Sequence, residues 1–377
     1  PIWRSLLKED PTVRLAEYQS SKSKVQSSVY KVIGARKLMV DEYAISASRV
    51  LPTLVFFHGG GWRTGHRSQH IPLAKALADR GYRVFLVEYR LSTEALYPAA
   101  MLDAQAALQW VAKRKNVGEI YVGGYSAGGQ MAALLGSVQD ENTYGKGVKI
   151  SGSIDVDGIL AFIHPESGEG DDSKRTSAAT YYFGYNKKEG EAIWNEGSAL
   201  GHVTKGDPPV LFLNSGVERM HAGRTDFMNK MAAFGIHTEY YTFEKAPHTF
   251  VLMNHWFDQV VDRMDRFMKT RLVVGTDFKT IQSAVDLARP GQEIFIKNGV
   301  YREKIFVDSL KHHLRFVGES RAGVVIQETI ARDIWRCSNP DDYGAGVLNV
   351  KGHDLSFSNL TIMNDYGFNT KSDVTIP

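Results

Sequence analysis

The sequence holds one cysteine, Cys337, so it can form no intramolecular disulfide and no zinc site built on several thiolates, and thiols leave the redox compartment unmarked. A lone thiol of this kind is expected as a small, partly buried hydrophobe. No run of about eighteen apolar residues occurs, so no segment reads as a membrane-spanning helix. No block of one charge occurs either. Lysine and arginine number 45 against 42 acidic residues, a balance of +3, too small for the basic field a nucleic-acid partner would need. At most a slight preference for acidic substrates remains. The chain starts at Pro1 without a charged-then-apolar leader and closes at Ile376-Pro377, which leads to the expectation of a processed or cut chain, with any export signal lost in the processing.

What is present is a globular composition, 43% hydrophobic over 377 residues, sufficient for one large domain or two moderate ones. From about Lys37 to Arg271, short runs rich in β-branched and aromatic residues alternate with amphipathic stretches. LPTLVFFHGGGW, YRVFLVEYR, EIYVGGYSAGG, VKISGSIDVDG, PPVLFLNSG and HTEYYTF read as buried parallel strands ending in glycine or polar clusters. IPLAKALADRG and AAMLDAQAALQWVAKR repeat apolar residues every three or four positions and read as helices with one apolar face. This is an α/β pattern, a doubly wound sheet whose chemistry should collect at the carboxyl ends of the strands. Beyond Arg271 the texture changes to one short helix and short strands punctuated by Gly, Asn and Asp, at the spacing of a solenoid. A boundary falls near Leu272–Thr276, giving domains 1–271 and 272–377.

Gly124-Tyr125-Ser126-Ala127-Gly128 is a G-x-S-x-G segment between a strand and a helix. That context makes Ser126 a nucleophile candidate on a tight turn above the sheet. His58-Gly59-Gly60-Gly61-Trp62 closes an earlier strand; its bare glycines let the amides of Gly60 and Gly61 approach a developing oxyanion, and the amide of Ala127 adds a third donor. A serine needs a base, and His248 in KAPHTF follows the last strand. The acid is expected in the loop after PPVLFLN, with Glu218 ahead of Asp226. Trp62, Arg63, Tyr125 and His70 are expected to line the pocket. His66 and His70 stand four apart, but the glutamate of H-E-x-x-H and a third ligand are missing, so no metal is expected. Asp155 and Asp157 in SIDVDG read as acyl-pocket wall or loop caps, the latter preferred. The polar, aromatic stretch 161–207 reads as a lid.

With HGGGW, GYSAGG and APHTF in this order, residues from about Lys37 to Arg271 resemble the α/β-hydrolase esterases of the hormone-sensitive-lipase-like type. The segments HRSQH, LAKALADRGYRVFLVEYRLS, YPAAMLDAQAALQW and RMHAGR look like bacterial carbohydrate esterases that remove acyl groups from plant cell-wall polysaccharides. The resemblance implies Ser126 as nucleophile, His248 as base, amide donors from Gly60, Gly61 and Ala127, and no cofactor. That family more commonly has Asp where this chain has Glu218, and relatives with this loop vary there, which keeps Asp226 in play. The C-terminal part, with Gly299-Val300-Tyr301-Arg302-Glu303, is similar to the start of pectin methylesterases, a right-handed parallel β-helix; the later segments carrying that family's catalytic Asp pair, Gln and Arg do not occur before Pro377.

The expected function is a serine carboxylesterase acting on acylated plant polysaccharide, acetyl groups first and feruloyl groups as the alternative, in a secreted or periplasmic setting inferred from the substrate. A polysaccharide-binding protein with an inactive hydrolase domain is the reading from another class. Methyl-ester hydrolysis by the C-terminal part is a third.

Overall fold

A computed structural model describes residues 12–20, 22–46, 48–137, 147–269 and 271–366. The two chain ends, on which the expectation of processing rests, lie outside them. The chain divides into two compact units, residues 1–268 and 269–377.

The first unit is built on an eight-stranded sheet: β1 (Lys24–Ile33), β2 (Arg36–Ala44), β3 (Leu51–Phe57), β4 (Arg83–Val87), β5 (Val117–Tyr125), β6 (Ile150–Val156), β7 (Val210–Ser215) and β8 (Thr238–Phe243). Their order is β1-β2-β4-β3-β5-β6-β7-β8. The six strands read from sequence, β3 to β8, run parallel. Two more strands precede them and pair antiparallel, β1 with β2 and β2 with β4, so the sheet begins before Lys37 and is mixed. β1 escapes a search for buried runs because it is an edge strand whose Val25 and Val32 face solvent.

The helices of this unit are α1 (Ile71–Asp79), α2 (Ala99–Ala112), α3 (Ala127–Ser137), α4 (Ala178–Phe183), α5 (Glu191–Glu196), α6 (Arg224–Ala233) and α7 (Asn254–Met268). Strand side chains alternate between two cores, as the period of two requires. Val55, Phe57, Phe85, Val87 and Phe212 join residues of α2, α3 and α6 on one face. Leu54, Phe56, Leu86, Leu211 and Leu213 join α1 and α7 on the other. In α7 the buried positions Phe257, Val260, Val261, Met264, Phe267 and Met268 make a single stripe at three- and four-residue spacing. The stretch expected as a lid has its own aromatic centre, with Phe162, Tyr182, Phe183 and Trp194 fully buried and in edge or tilted contact. It is a packed insertion.

The second unit contains β9 (Arg271–Val274), α8 (Ile281–Leu287), β10 (Glu293–Ile296), β11 (Gly299–Arg302), β12 (Ile305–Val307), β13 (Arg315–Gly318), β14 (Val324–Glu328), α9 (Arg332–Arg336), β15 (Leu348–Val350), β16 (Ser356–Ser358) and β17 (Thr361–Asn364). These strands form three parallel sheets ordered β16-β13-β10-β9, β11-β14-β17 and β12-β15. From β10 onward the chain visits the three sheets in turn, β9 and β10 both lying in the first, and Leu272, Ile294, Phe316, Ile305 and Val324 fill the interior. Glu303 of the G-x-Y-x-E segment accepts the amides of Ile281 (2.8 Å) and Gln282 (3.0 Å), so it caps α8. Cys337 is exposed rather than partly buried; it follows the short helix α9, which buries no side chain.

Candidate active site

Ser126 sits on the turn between β5 and α3 with φ of +55°, a left-handed conformation uncommon for a residue with a side chain. Its amide is held by the carbonyl of Val156 at 2.8 Å. The flanking glycines are a matter of space. A Cβ on Gly124 would stand 2.0 Å from the carbonyl oxygen of Gly128, and one on Gly128 would stand 2.1 Å from that of Phe57. Both distances lie far inside van der Waals contact, so the turn closes only without side chains there.

His248 follows β8 and reaches Ser126: its Nε2 lies 2.9 Å from the serine Oγ. Its Nδ1 lies 2.9 Å from Oδ2 of Asp157, 91 residues away in the chain. Asp157 is therefore the carboxylate that holds His248, and the assignment to Glu218 is corrected. Glu218 lies exposed on a 3-10 turn, Glu218–His221, and Asp226 is exposed on the first turn of α6, where it meets His164 Nε2 at 3.3 Å. Neither faces the imidazole because the chain leaving β7 presents its backbone to the site. The amide of Ser215 donates to Oδ1 of Asp157 at 2.8 Å, and Asn214 Nδ2 lies 3.4 Å from the same oxygen. Asp157 follows β6, the neighbour of both β5 and β7, and adopts φ of +53°. The sequence signal for it was an Asp-Gly pair at the end of the strand next to the nucleophile's.

Asp155 does cap the loop, accepting the Gly158 amide at 2.6 Å. Its burial pushes the carboxyl well above the usual carboxylate range, an effect the Gly158 bond only partly offsets, and Asp157 nearby adds to the rise. Of two carboxylates two residues apart, one is thus biased toward its neutral form and the other is engaged by His248.

Gly60 and Gly61 have φ of +129° and +59°, and their carbonyl-side turn is closed by Arg63 and Thr64 amides donating to the oxygen of Gly60 (3.2 and 3.0 Å). A Cβ on Gly60 would meet the Thr64 oxygen at 2.1 Å. Ala127 is the first residue of α3, so its N–H has no carbonyl within the helix to bond. Gly61 lies against Ala178, the first residue of α4, which ties the insertion to this turn.

The residues expected to line a pocket are mostly interior. Trp62 is buried, donates from Nε1 to Gln130 Oε1 at 3.0 Å, and stacks on Tyr182 at 4.7 Å. Its bulk fixes the glycine turn to the insertion. His70 is also buried, edge-on to Phe56 and Tyr125, and neither ring nitrogen has a partner among the described residues. Desolvation lowers its pKa to about 3. Tyr125, buried, lies between the rings of His70 and His248, 5.7 and 5.2 Å from them. Arg63 stacks its guanidinium over Tyr181 at 3.7 Å. His58 stacks on Tyr89, and burial lowers its pKa to about 4. His66 bonds to Ser68 Oγ at 2.8 Å. No group of three metal-ligating side chains occurs among the described residues.

Comparison with known proteins bears on the fold of the first unit. A truncated carbohydrate esterase from gut microbiota superposes with a TM-score of 0.53 at 17% identity, over 67% of this chain and 97% of that one. The first unit has the α/β-hydrolase fold. A family model described as BD-FAE matches residues 41–219, a range that takes in Ser126 and Asp157 of the α/β-hydrolase unit and stops before His248. Carboxylesterase NlhH of Mycobacterium tuberculosis is 40% identical over 91 residues, 22% of this chain and 28% of that protein. Pectinesterase A of Dickeya dadantii is 36% identical over 99 residues, 25% of this chain and 26% of that protein. The chain thus spans under a third of the length of these curated relatives.

Proposed function

We propose that the α/β-hydrolase unit is a serine carboxylesterase. The observation that carries this reading is the continuous line from Ser126 Oγ through both nitrogens of His248 to Asp157, each step 2.9 Å. Ser126 attacks the ester carbonyl while His248 takes its proton, and Asp157 holds the imidazole in the tautomer with hydrogen on Nδ1 and stabilises the imidazolium. The amides of Gly60, Gly61 and Ala127 receive the oxyanion, each contributing about 3 kcal/mol where water is excluded. His248 returns the proton to the leaving alcohol, and water activated by the same imidazole frees the acid.

The substrate we infer is an acylated plant cell-wall polysaccharide, with acetyl as the acyl group, met in a secreted or periplasmic setting. Support comes from the sequence resemblance to carbohydrate esterases, from a solved neighbour titled a carbohydrate esterase, and from the stretch similar to Pectinesterase A. Three parallel sheets fed in turn by one chain favour reading the second unit as the opening turns of a parallel β-helix of the pectinesterase kind.

The test is hydrolysis of p-nitrophenyl acetate by Ser126→Ala beside the parent: turnover should vanish, and undiminished turnover would refute the serine mechanism. A product profile on acetylated xylan, feruloylated xylan and pectin then separates the readings. Acetate release supports the substrate proposed, ferulate release replaces it with the feruloyl alternative, and methanol release surviving Ser126→Ala places chemistry in the second unit.

A further inference from the structure

The polar segment after β7 supplies no carboxylate to His248, yet α6 opens on Arg224, which is half-buried against the edge strand β8. Arg224 Nη1 donates to Oδ1 of Asn214 at 2.7 Å and to Oγ1 of Thr242 at 3.3 Å, with its guanidinium 4.8 Å from the centre of the Tyr240 ring. Asn214 is 1% exposed, so its amide has no water to choose between orientations. A guanidinium only donates. It therefore fixes the oxygen of Asn214 toward itself and the NH2 toward Asp157 Oδ1 at 3.4 Å. The reversed amide would set an oxygen against the carboxylate. His221, in the same loop, donates from Nε2 to the carbonyl of Ser215 at 2.8 Å, and the Ser215 amide donates to the same Oδ1. One oxygen of Asp157 is held from the end of β7, which leaves Oδ2 aimed at His248.

We propose that Arg224 is a positioning residue for the catalytic acid, acting through Asn214 to set the orientation of Asp157. This rests on the Ser126–His248–Asp157 reading. Tyr240 and Thr242 hold the guanidinium from β8 while Asn214 accepts its hydrogen bond from β7, so the residue clamps adjacent strands at the site where the acid is held. The role depends on a donor at that point and on its distance.

The experiment is a double-mutant cycle on p-nitrophenyl acetate with Arg224→Met, Asn214→Leu and the double variant, beside Arg224→Lys and Asp157→Asn, each checked for folding by thermal melting. Arg224→Met should lower kcat at least about tenfold with KM held within about twofold, the signature of misplaced catalytic groups rather than lost substrate binding. Asn214→Leu should cost as much. The double variant should cost no more than either single one, because the two residues act in one line. Arg224→Lys, which keeps a donor, should recover most of the loss. A kcat within twofold of the parent for a folded Arg224→Met, or effects of the two single variants that multiply, overturns the proposal. Should Arg224→Met fail to fold, Arg224→Lys and Asn214→Leu decide it: an Asn214→Leu enzyme of parental kcat overturns it equally. Asp157→Asn keeps the outcomes apart, since parental turnover there refutes the triad itself, whereas an inactive Asp157→Asn beside an active Arg224→Met refutes only the clamp.

Discussion

Asp157 divides its two carboxylate oxygens between His248 and Ser215: Oδ2 meets the imidazole at 2.9 Å and Oδ1 accepts the backbone amide at 2.8 Å. The arrangement leaves no position for a second acid. Asp157→Asn should therefore lower kcat by about 10⁴-fold, the cost of presenting the wrong tautomer while geometry is kept. Glu218→Gln and Asp226→Asn, both at exposed positions, should leave kcat within about twofold of the parent. Steady-state hydrolysis of p-nitrophenyl acetate by the three variants measures this; a large fall in either of the last two would return the acid to the loop after β7.

The glycines around Ser126 should tolerate no methyl group. Gly128→Ala drives a Cβ into the carbonyl of Phe57, and Gly124→Ala into that of Gly128. Each should destabilise the fold by about 3 kcal/mol, read as a lower denaturant midpoint. Gly147→Ala is the contrast. It has open space around it but a φ of +82°, so it should cost about 1 kcal/mol from backbone strain alone.

Acid should weaken the first unit through its buried histidines. His70 has a folded pKa of about 3 and His58 of about 4, both lowered by burial from an ordinary 6.5. Between the folded and unfolded values the unfolded chain binds protons that the folded chain refuses, so stability is complete above about pH 6.5 and falls as pH drops toward the folded values. For His70 the loss by pH 5 is about 2 kcal/mol. Urea unfolding at pH 7 and pH 5 should show it, and His70→Leu should flatten the dependence. Parent and variant with equal slopes would contradict the assignment.

The cap formed by Glu303 should matter to the second unit alone. Glu303→Ala strips both amides of Ile281 and Gln282 of their acceptor and should cost about 1–2 kcal/mol. In calorimetry the transition of residues 269–377 should fall while that of the first unit stays.

Much of this was readable from sequence for a physical reason: it is local. Strands β3 to β7 announce themselves because both faces are largely buried and the runs are mostly apolar, and the edge strand β8 does so by its β-branched and aromatic residues although Tyr240 is exposed, whereas β1 is an edge strand with exposed valines and carries no such mark. Ser126 and the glycines of HGGG are likewise local, since a steric requirement within a few residues dictates them. His248 was legible because it lies in the loop just after the last strand of the sheet. The acid was not, because membership of that set depends on where three loops converge in space. Asp157, Glu218 and Asp226 are equivalent as sequence, each a carboxylate near a strand end or a helix start. The packing of β6 between β5 and β7 brings Asp157 under the imidazole, and the backbone of Ser215 then occupies the approach from the next loop. Trp62 and His70 show the same limit: composition marks them as polar-tipped aromatics near the site, and only the tertiary structure decides that they face inward, against Tyr182 and Phe56. Sequence alone determined the strand–turn–helix that makes a nucleophile; three-dimensional closure decided which carboxylate serves it, because hydrogen bonds are set by ångströms between elements and not by order along the chain.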